Sequence, residues 1–329
     1  MRTAYLRALH ELAEKDENVY ALISDNGAIV YDGYRRDFPD QYLNLGISEA
    51  NMLGMAAGMD SRGKVPFAYT IGAFLAYRAY EFIRNDICLQ NMNVKIVGTG
   101  AGEVYSALGP TNHATEDLGG LRALPNLTIL SPASPKEAYQ ATLAAYRHEG
   151  PVYLRLGTNR EPEIYGQKGI LELSGLSDQT EQGCGTGNLS KGLCFELGKA
   201  IELRSGSDIT IVATGRIVKD ALDVAEELEK GNAHASVLNI HTVKPFDSLC
   251  IRKAVDETGR IITLEDHNVI GGLGSTVAEA IAEYGKPVRF KRIGLEGFSH
   301  GYGTYEEVKE ANGIGRAVVL RTAHELLKD

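Results

Sequence analysis

Short apolar runs alternate with helical patterns along most of this 329-residue chain, and no other feature constrains its fold as strongly. The apolar runs predict strands at Val19–Ile23, Val65–Tyr69, Val94–Gly98, Leu127–Leu130, Val152–Leu156, Asp208–Ala213, Ala235–Asn239, Arg260–Leu264 and Val288–Ile293. The helical patterns predict helices at Thr3–Ala13, Glu49–Asp60, Ala73–Ile87, Pro135–Tyr146, Val218–Glu229, Leu249–Thr258, Ser275–Tyr284 and Ile314–Leu327. Strands and helices that alternate in this way form parallel sheets with helices on both faces.

The alternation stops between Glu161 and Leu193, where Gly, Ser, Asn and Gln are frequent. This composition is typical of a linker or a surface excursion. The chain is also longer than one typical hydrophobic core requires. We therefore expect an α/β protein with two parallel-sheet, three-layer domains at residues 1–160 and 195–329, joined by a linker at 161–194.

Charge and composition exclude several classes of protein. The formal net charge is −9, whereas a general nucleic-acid binder would show a basic face. No apolar run approaches the length of a membrane span, and the N-terminal segment lacks the apolar core of a secretory signal. The four cysteines form no Cys-x-x-Cys pair, which favours reduced thiols; they are Cys88, Cys184, Cys194 and Cys250. We expect a cytoplasmic protein.

Several common motifs are absent. The chain has neither the Gly-x-x-x-x-Gly-Lys-Ser/Thr phosphate loop nor the Gly-x-Ser-x-Gly turn of serine hydrolases. The glycine-rich run Gly98–Gly102 follows a predicted strand but lacks the later glycine of a dinucleotide fingerprint. It therefore favours a tight turn at the carboxyl edge of the sheet, although close approach to a ligand stays open.

Glu49 is the first candidate for acid–base chemistry. It stands where a helix is expected to begin, after Ser48 as a possible cap, with Ile47 and Met52 at the positions of a hydrophobic staple. The apolar residues that follow would take water away from its carboxylate, and carboxylates in such places are often functional. The alternative is a first-turn glutamate that only favours the helix dipole.

Two aromatic residues and one histidine complete the candidates that the residues alone suggest. Phe74 and Tyr77 are three positions apart and so share a helix face. They would either pack in the core or offer a platform to a flat ring. The polar loop from Leu108 to Asp117 carries one imidazole, His113.

Several segments then follow one another in a fixed order: NLGISEANMLGMAAGM, PFAYT, RAYEFIRNDI, LRALPNLTILSPAS, GPVYLRLG, FELGKAIELRSGSDITIVATG and TLEDHNVIGGLGSTVAEA. The first five resemble the pyrimidine-binding domain of transketolases, and the last two resemble the transketolase C-terminal domain. The resemblance covers nearly the whole chain and is closest to the split form, in which two chains share one active site. The β subunits of 2-oxo acid dehydrogenases and deoxyxylulose phosphate synthase share this architecture.

The resemblance implies thiamine diphosphate as the cofactor. Glu49 matches the family glutamate that hydrogen-bonds N1′ of the aminopyrimidine and favours its imino tautomer. Phe74 matches the aromatic residue that stacks on the pyrimidine, and Tyr77 matches a second aromatic residue nearby. Ile71 stands where the family often has another phenylalanine. Asn26 falls near a family loop at the cofactor.

The resemblance is weaker on the substrate side. Asn112 aligns with a substrate-side histidine of the family, and His113 follows it. Thr158 aligns with the arginine that grips the sugar phosphate in full-length transketolases, and Arg160 lies two residues further on. Replacing imidazole with carboxamide removes a titratable group, so we expect either His113 or a partner residue to handle protons there. Asn112, His113 and Arg160 are the candidate substrate-binding residues.

One family motif is missing. Thiamine enzymes hold Mg²⁺ and the diphosphate through Gly-Asp-Gly followed by Asn, and this chain has no Gly-Asp-Gly. The resemblance therefore implies an N-terminal partner subunit that supplies the metal site, with self-association to an α2β2 assembly. The expected activity is transfer of a two-carbon ketol unit between sugar-type substrates. The alternatives are a 2-oxo acid dehydrogenase β subunit and a non-catalytic α/β partner.

Overall fold

Two sheets organise the protein in the computed structural model, which describes residues 1–165, 193 and 195–328. The strands in chain order are β1 (Val19–Ile23), β2 (Tyr42–Asn44), β3 (Val65–Ile71), β4 (Lys95–Thr99), β5 (Thr128–Leu130), β6 (Val152–Leu156), β7 (Ile201–Arg204), β8 (Ile209–Thr214), β9 (Ala235–Asn239), β10 (Thr242–Lys244), β11 (Arg260–Asn268) and β12 (Arg289–Leu295). The first sheet has the order β10-β5-β6-β4-β3-β1-β2, and the second has the order β12-β11-β8-β9-β7. Neighbouring strands are parallel, except at the two edges formed by β10 and β7.

Helices cover these sheets. In chain order they are α1 (Arg2–Ala13), α2 (Asp32–Asp37), α3 (Glu49–Asp60), α4 (Gly72–Arg78), α5 (Tyr80–Phe82), α6 (Asp117–Arg122), α7 (Pro135–Arg147), α8 (Val218–Lys230), α9 (Ser248–Thr258), α10 (Leu273–Tyr284), α11 (Tyr305–Ala311) and α12 (Arg316–Leu327). Separate apolar cores lie on the two faces of each sheet. The predicted α/β class, with two mostly parallel sheets, is confirmed.

Local sequence explains why these elements form. Every residue of β6 is buried, as expected for a strand that helices cover on both faces. The start of α7 combines Pro135 in the first turn with Ser134, whose side chain accepts a hydrogen bond from the backbone of Glu137. In α8 the apolar positions recur every three or four residues, so one face of the helix packs on the second sheet.

The prediction of one helix over Ala73–Ile87 is wrong. The chain forms α4, breaks at Ala79 with φ −111° and ψ 17°, and continues through α5 into a π-helical turn at Ile83–Cys88. Beyond the break, the Tyr80 hydroxyl donates a hydrogen bond to the carbonyl of Gly120, 3.2 Å away. This partner comes from a distant segment, so the helical period alone could not indicate it.

The predicted end of β11 is also wrong. The strand continues four residues beyond Leu264, from Glu265 to Asn268, with a register shift against β12. Three titratable residues follow Leu264 directly, and residues of this kind are usually exposed. These residues are buried nonetheless, because they pair with groups elsewhere in the fold.

The two halves of the chain are joined by strand pairing as well as by the covalent chain. Strand β10 comes from the C-terminal half and runs antiparallel to β5 of the first sheet. Much of the expected linker, together with Cys184 and Cys194, lies outside the described residues. Its described beginning is buried at Ile164 and Tyr165.

Cys88 and Cys250 are free thiols. None of the described helices has both the length and the apolarity that a membrane span requires.

Candidate functional site

The candidate residues gather at the carboxyl ends of the parallel strands in the first sheet, the usual location of ligand sites in such sheets. Ser24 directly follows β1, and its hydroxyl donates to the carbonyl of Gly46 and accepts from the backbone of Ser48. These two bonds tie the end of β1 to the start of α3. Ser48 occupies the N-cap position, but the expected side-chain cap does not form: its hydroxyl donates to the carbonyl of Leu45 and accepts no hydrogen bond from the backbone of α3.

Glu49 is the first residue of α3 and is 5% exposed. Its two carboxylate oxygens lie 3.3 and 3.4 Å from Nη1 of Arg78, at the end of α4. The expected hydrophobic staple does not form, because Ile47 is 77% exposed while Met52 is fully buried. The buried carboxylate of Glu49 therefore lies close in the chain to Ile47, an apolar side chain that is exposed to solvent.

Phe74 lies on α4 and is half-buried. It packs with Tyr105 against a small apolar cluster made of Ile71, Ala73 and Ala114. The guanidinium of Arg78 lies over the ring, with its Cζ 4.3 Å from the ring centroid. Glu49 and Phe74 are thus brought together through one shared side chain.

Tyr77 has a different environment from the one expected. It is 45% exposed, and its hydroxyl donates to the carboxylate of Glu116 at 2.8 Å while accepting from the Glu116 backbone at 3.0 Å. Burial, followed by the nearby charge of Asp117, raises the pKa of the phenol well above its ordinary value. Tyr77 therefore stays neutral and holds the polar loop against α4.

His113 is 2% exposed, at the end of the turn that begins at Gly109. Neither ring nitrogen makes a hydrogen bond of good geometry among the residues that the structure describes, although the backbone of Tyr105 lies close enough to offset part of the effect of burial on its pKa. Burial lowers the pKa of the imidazole, so it is neutral near pH 7. A neutral ring whose nitrogens make no such bond can both donate and accept one hydrogen bond.

The remaining sequence candidates are less closely tied to this group. Asn26 lies in the turn after β1, and its buried side-chain nitrogen has no partner within the described part of the chain. Asn112 is half-buried, and its side-chain nitrogen donates to the neighbouring Thr111 hydroxyl at 3.2 Å. Arg160 is exposed beyond β6, and no contact among the described residues joins it to Glu49 or His113.

Sequence reasoning missed a buried polar network behind this edge. Arg155, in the middle of β6, donates to the carboxylate of Asp117 at 2.9 Å and to the carbonyls of Ala114 and Asp266 at 2.8 and 3.0 Å. The Tyr153 hydroxyl donates to the same carboxylate at 2.7 Å. Burial opposes the charge on Asp117, but the adjacent Arg155 holds its pKa below the ordinary value. A charged residue inside an apolar strand was the available signal.

The network continues into the second sheet through Asp266. Its carboxylate accepts hydrogen bonds from the Glu103 backbone and the Tyr305 hydroxyl, both at 3.0 Å. Gly102 allows this contact, because a Cβ there would lie 2.1 Å from Cγ of Asp266. The Glu103 carboxylate is fully buried, and neither oxygen makes a hydrogen bond of good geometry in the described residues, although the Ser299 side chain lies close enough to lower its pKa in part. Burial, reinforced by Asp266, raises the pKa of Glu103 to about 7.

The two neighbours of Asp266 on β11 are fully partnered. The Glu265 carboxylate accepts from the backbone nitrogens of Leu273 and Gly274 at the start of α10, both at 2.7 Å. Burial raises its pKa to about 7. His267 accepts from the backbone of Gly119 at Nε2 and meets the carbonyl of Asn268 at Nδ1. Burial lowers the pKa of His267 to about 4, so this ring is neutral and structural.

Comparison with known proteins identifies the family. The family model for the transketolase pyrimidine-binding domain matches residues 1–161, and the model for the transketolase C-terminal domain matches residues 198–319. A 6-deoxy-6-sulfo-D-fructose transketolase subunit from Clostridium sp. (strain MSTE9) is 34% identical over 99% of this chain and 94% of that protein. The chain belongs to the transketolase family. It is a thiamine diphosphate-dependent, transketolase-type transferase subunit.

Two further matches show which transketolases it resembles. One of the subunits of an apulose-4-phosphate transketolase from Phocaeicola vulgatus is 32% identical over 99% of this chain and 97% of that protein. A solved split-gene transketolase, described as an inactive β4 tetramer, superposes with a TM-score of 0.85 at 34% identity, covering 99% of this chain and 97% of that one. The family expected from the sequence is confirmed. None of these matches favours a 2-oxo acid dehydrogenase β subunit or a non-catalytic partner.

The described residues of this transketolase subunit suit one end of the cofactor. Glu49 offers a buried acceptor to a ring nitrogen, and Phe74 offers a half-buried flat ring. Across residues 1–165 and 195–328 there is no group of three or more His, Cys, Asp or Glu side chains that could hold a metal ion. The Glu49 acceptor and the Phe74 ring are the two groups whose chemistry fits the aminopyrimidine of the cofactor.

Proposed function

We propose that this chain is the C-terminal subunit of a two-component transketolase that transfers a two-carbon ketol unit between sugar-type substrates. The observation that carries the proposal is the buried Glu49 carboxylate at the start of α3, beside the half-buried ring of Phe74. When bound, thiamine diphosphate supplies the nucleophilic carbon of the reaction. The subunit's own residues bind and orient its aminopyrimidine.

Glu49 holds a proton at N1′ of that ring, where a buried carboxylate forms a strong charge-assisted hydrogen bond. Phe74 stacks on the ring face, and Ile71 keeps water from its edge. Tyr77 and Asn26 complete the cofactor-binding set. Tyr77 acts through the loop that it anchors at Glu116, and Asn26 offers its unpartnered amide nitrogen.

His113 acts on the substrate side as a neutral donor and acceptor, with Asn112 beside it. Its lowered pKa favours exchange of protons with a hydroxyl rather than permanent charge. Arg160 is the candidate for recognition of an anionic substrate group, since its guanidinium is exposed and a planar fork suits such anions. The relatives' names include a sulfonated and a phosphorylated sugar, which are the substrates of those proteins.

An N-terminal partner subunit supplies Mg²⁺ and the diphosphate site. The absence of a Gly-Asp-Gly motif from this chain supports that assignment. The solved relative that consists of β chains alone is described as inactive, which agrees with a need for a partner. We propose an α2β2 heterotetramer in carbohydrate metabolism, located in the cytoplasm, where the free thiols of Cys88 and Cys250 would stay reduced.

The test is reconstitution with the N-terminal subunit, thiamine diphosphate and Mg²⁺. We expect turnover only from the mixture, and Glu49→Gln should lower it by roughly 10²–10⁴-fold, as for loss of an acid–base group. Glu81→Gln is the matched control, because that carboxylate is exposed and lies on α5. Full turnover by the isolated chain, or an unchanged rate in Glu49→Gln, would contradict the proposal.

A further inference from the structure

Arg78 makes two contacts that the proposed function reserves for the aminopyrimidine. Its Nη1 lies 3.3 and 3.4 Å from the two oxygens of Glu49, and its Cζ lies 4.3 Å from the centroid of the Phe74 ring. One planar cation thus pairs with the acid and stacks on the aromatic ring at the same time. Sequence reasoning gave Arg78 no role.

The pairing has a clear physical origin. The Glu49 side chain is only 6% exposed, and a buried carboxylate without a partner is costly. A guanidinium satisfies it well, because its flat, delocalised charge also favours the face of an aromatic ring. The contact therefore stabilises Glu49 in the same orientation in which it would meet the cofactor.

Arg78 is also free to leave. Its side chain is 54% exposed, so water can replace the contacts that the guanidinium loses. It is the last residue of α4, and Ala79 after it has left the helical conformation. Release of Arg78 therefore requires a rotation of one side chain and no repacking of the core.

We propose that Arg78 competes with the aminopyrimidine for Glu49 and Phe74, so that the cofactor binds only when the guanidinium has moved away. This inference rests on the proposed function, because it takes Glu49 and Phe74 as the pyrimidine contacts. A ring that uses either contact must displace Arg78 from it. The side chain thus protects the buried acid before loading and lowers the apparent cofactor affinity by the fraction of molecules in which it is closed.

The experiment measures the dissociation constant of thiamine diphosphate by titration calorimetry on the assembled two-subunit complex with Mg²⁺. Arg78→Met keeps the length of the side chain but removes its charge. We expect it to tighten binding by about 5- to 20-fold, the size of one partly exposed ion pair with its cation–π contact. Arg78→Lys should fall between, since an ammonium ion pairs with Glu49 but cannot stack as a plane.

Two controls separate competition from a general effect of charge. Arg84→Met removes an exposed arginine whose side chain hydrogen-bonds only to the side chain of its chain neighbour Asn85 among the described residues, and it should leave the dissociation constant unchanged. In a Glu49→Gln background, Arg78→Met should lose most of its effect, because the shared partner has been weakened.

The sign of the change decides the inference. If Arg78→Met weakens binding or leaves it unchanged while the wild-type complex binds the cofactor, Arg78 holds Glu49 in place or is irrelevant. The competition is then refuted and the proposed function stands. If the wild-type complex does not bind thiamine diphosphate at all, the proposed function and this inference both fail.

Discussion

The edge that carries Glu49 and His113 contrasts with the network around Arg155, although both contain buried polar groups. In the network, Arg155 donates three hydrogen bonds that reach both halves of the chain, and Asp117 accepts two at Oδ2, although its Oδ1 has no hydrogen-bond partner in the described residues. At the edge, Glu49 has one half-exposed partner, and neither His113 nitrogen makes a hydrogen bond of good geometry in the described residues. Buried groups with several partners form a saturated region that holds the fold together, whereas groups with few partners are available to a ligand.

The largest expected effect on stability comes from breaking the saturated region. Arg155→Met would leave the Asp117 carboxylate buried without its cation and would remove one donor each from the carbonyls of Ala114 and Asp266. We expect a loss of about 3–5 kcal/mol in the free energy of unfolding, measured by urea denaturation. Arg62→Met is the control at an exposed arginine and should stay within about 0.5 kcal/mol of wild type. A small change in Arg155→Met would remove the distinction between the two regions.

The same contrast explains what the sequence could and could not predict. The longer strands and helices followed from local periodicity, and most of their predicted bounds agree with the observed ones to within two residues. The short elements β2, β7, β10, α2, α6 and α11 were not predicted, because each is too short to show a period. The end of β11 was not predicted either, because Glu265 and Asp266 look like loop residues unless their partners are known. One of those partners, Arg155, is 111 residues from Asp266. Long-range pairing of this kind cannot be derived from a local pattern.

Glu49 and Phe74 were identified through the family resemblance, and the structure brings them together. Their shared neighbour Arg78 escaped notice, since the predicted helix continued to Ile87 and an arginine inside a helix gives no sign of a contact with Glu49. The break at Ala79, which ends α4, was hidden within an apparently continuous helical pattern. Contacts made by side chains at helix ends were therefore the least predictable part of the site.

Glu103 differs from the other groups of the network, because its buried carboxylate makes no hydrogen bond of good geometry in the described residues. The variant Glu103→Gln therefore tests whether hydrogen-bond partners separate the two regions. Because its folded pKa is about 7 instead of an ordinary value near 4.5, the folded protein binds its proton more tightly. Its contribution to stability is full below about pH 4.5 and is lost as the pH rises to about 7, by up to about 3 kcal/mol. At pH 8, Glu103→Gln should therefore be more stable than wild type by about 1–3 kcal/mol in urea denaturation, and should show a smaller loss between pH 5 and pH 8.

Glu265→Gln is the matched comparison, because burial also raises the pKa of Glu265 to about 7. This carboxylate accepts two backbone hydrogen bonds from α10, and the amide nitrogen of glutamine cannot accept one of them. The gain from removing a buried charge at pH 8 is the same at both sites, so we expect Glu265→Gln to be about 1–3 kcal/mol less stable than Glu103→Gln, as for an unsatisfied buried donor. If the two glutamine variants changed the free energy of unfolding by the same amount at pH 8, hydrogen-bond saturation would not be the property that separates these groups.

The smallest expected effect on stability is at His113, where the two regions predict opposite outcomes for stability and for turnover. Replacing its imidazole with the apolar side chain of leucine removes two buried nitrogens that make no hydrogen bond of good geometry among the described residues. His113→Leu should leave the free energy of unfolding unchanged or raise it by up to about 1 kcal/mol, because the cost of dehydrating those nitrogens disappears. Turnover of the reconstituted complex should fall by roughly 10²-fold or more, the lower end for an acid–base group. A stable variant with wild-type turnover would make His113 a core residue, and a strongly destabilised one would place it with Arg155 in the structural network.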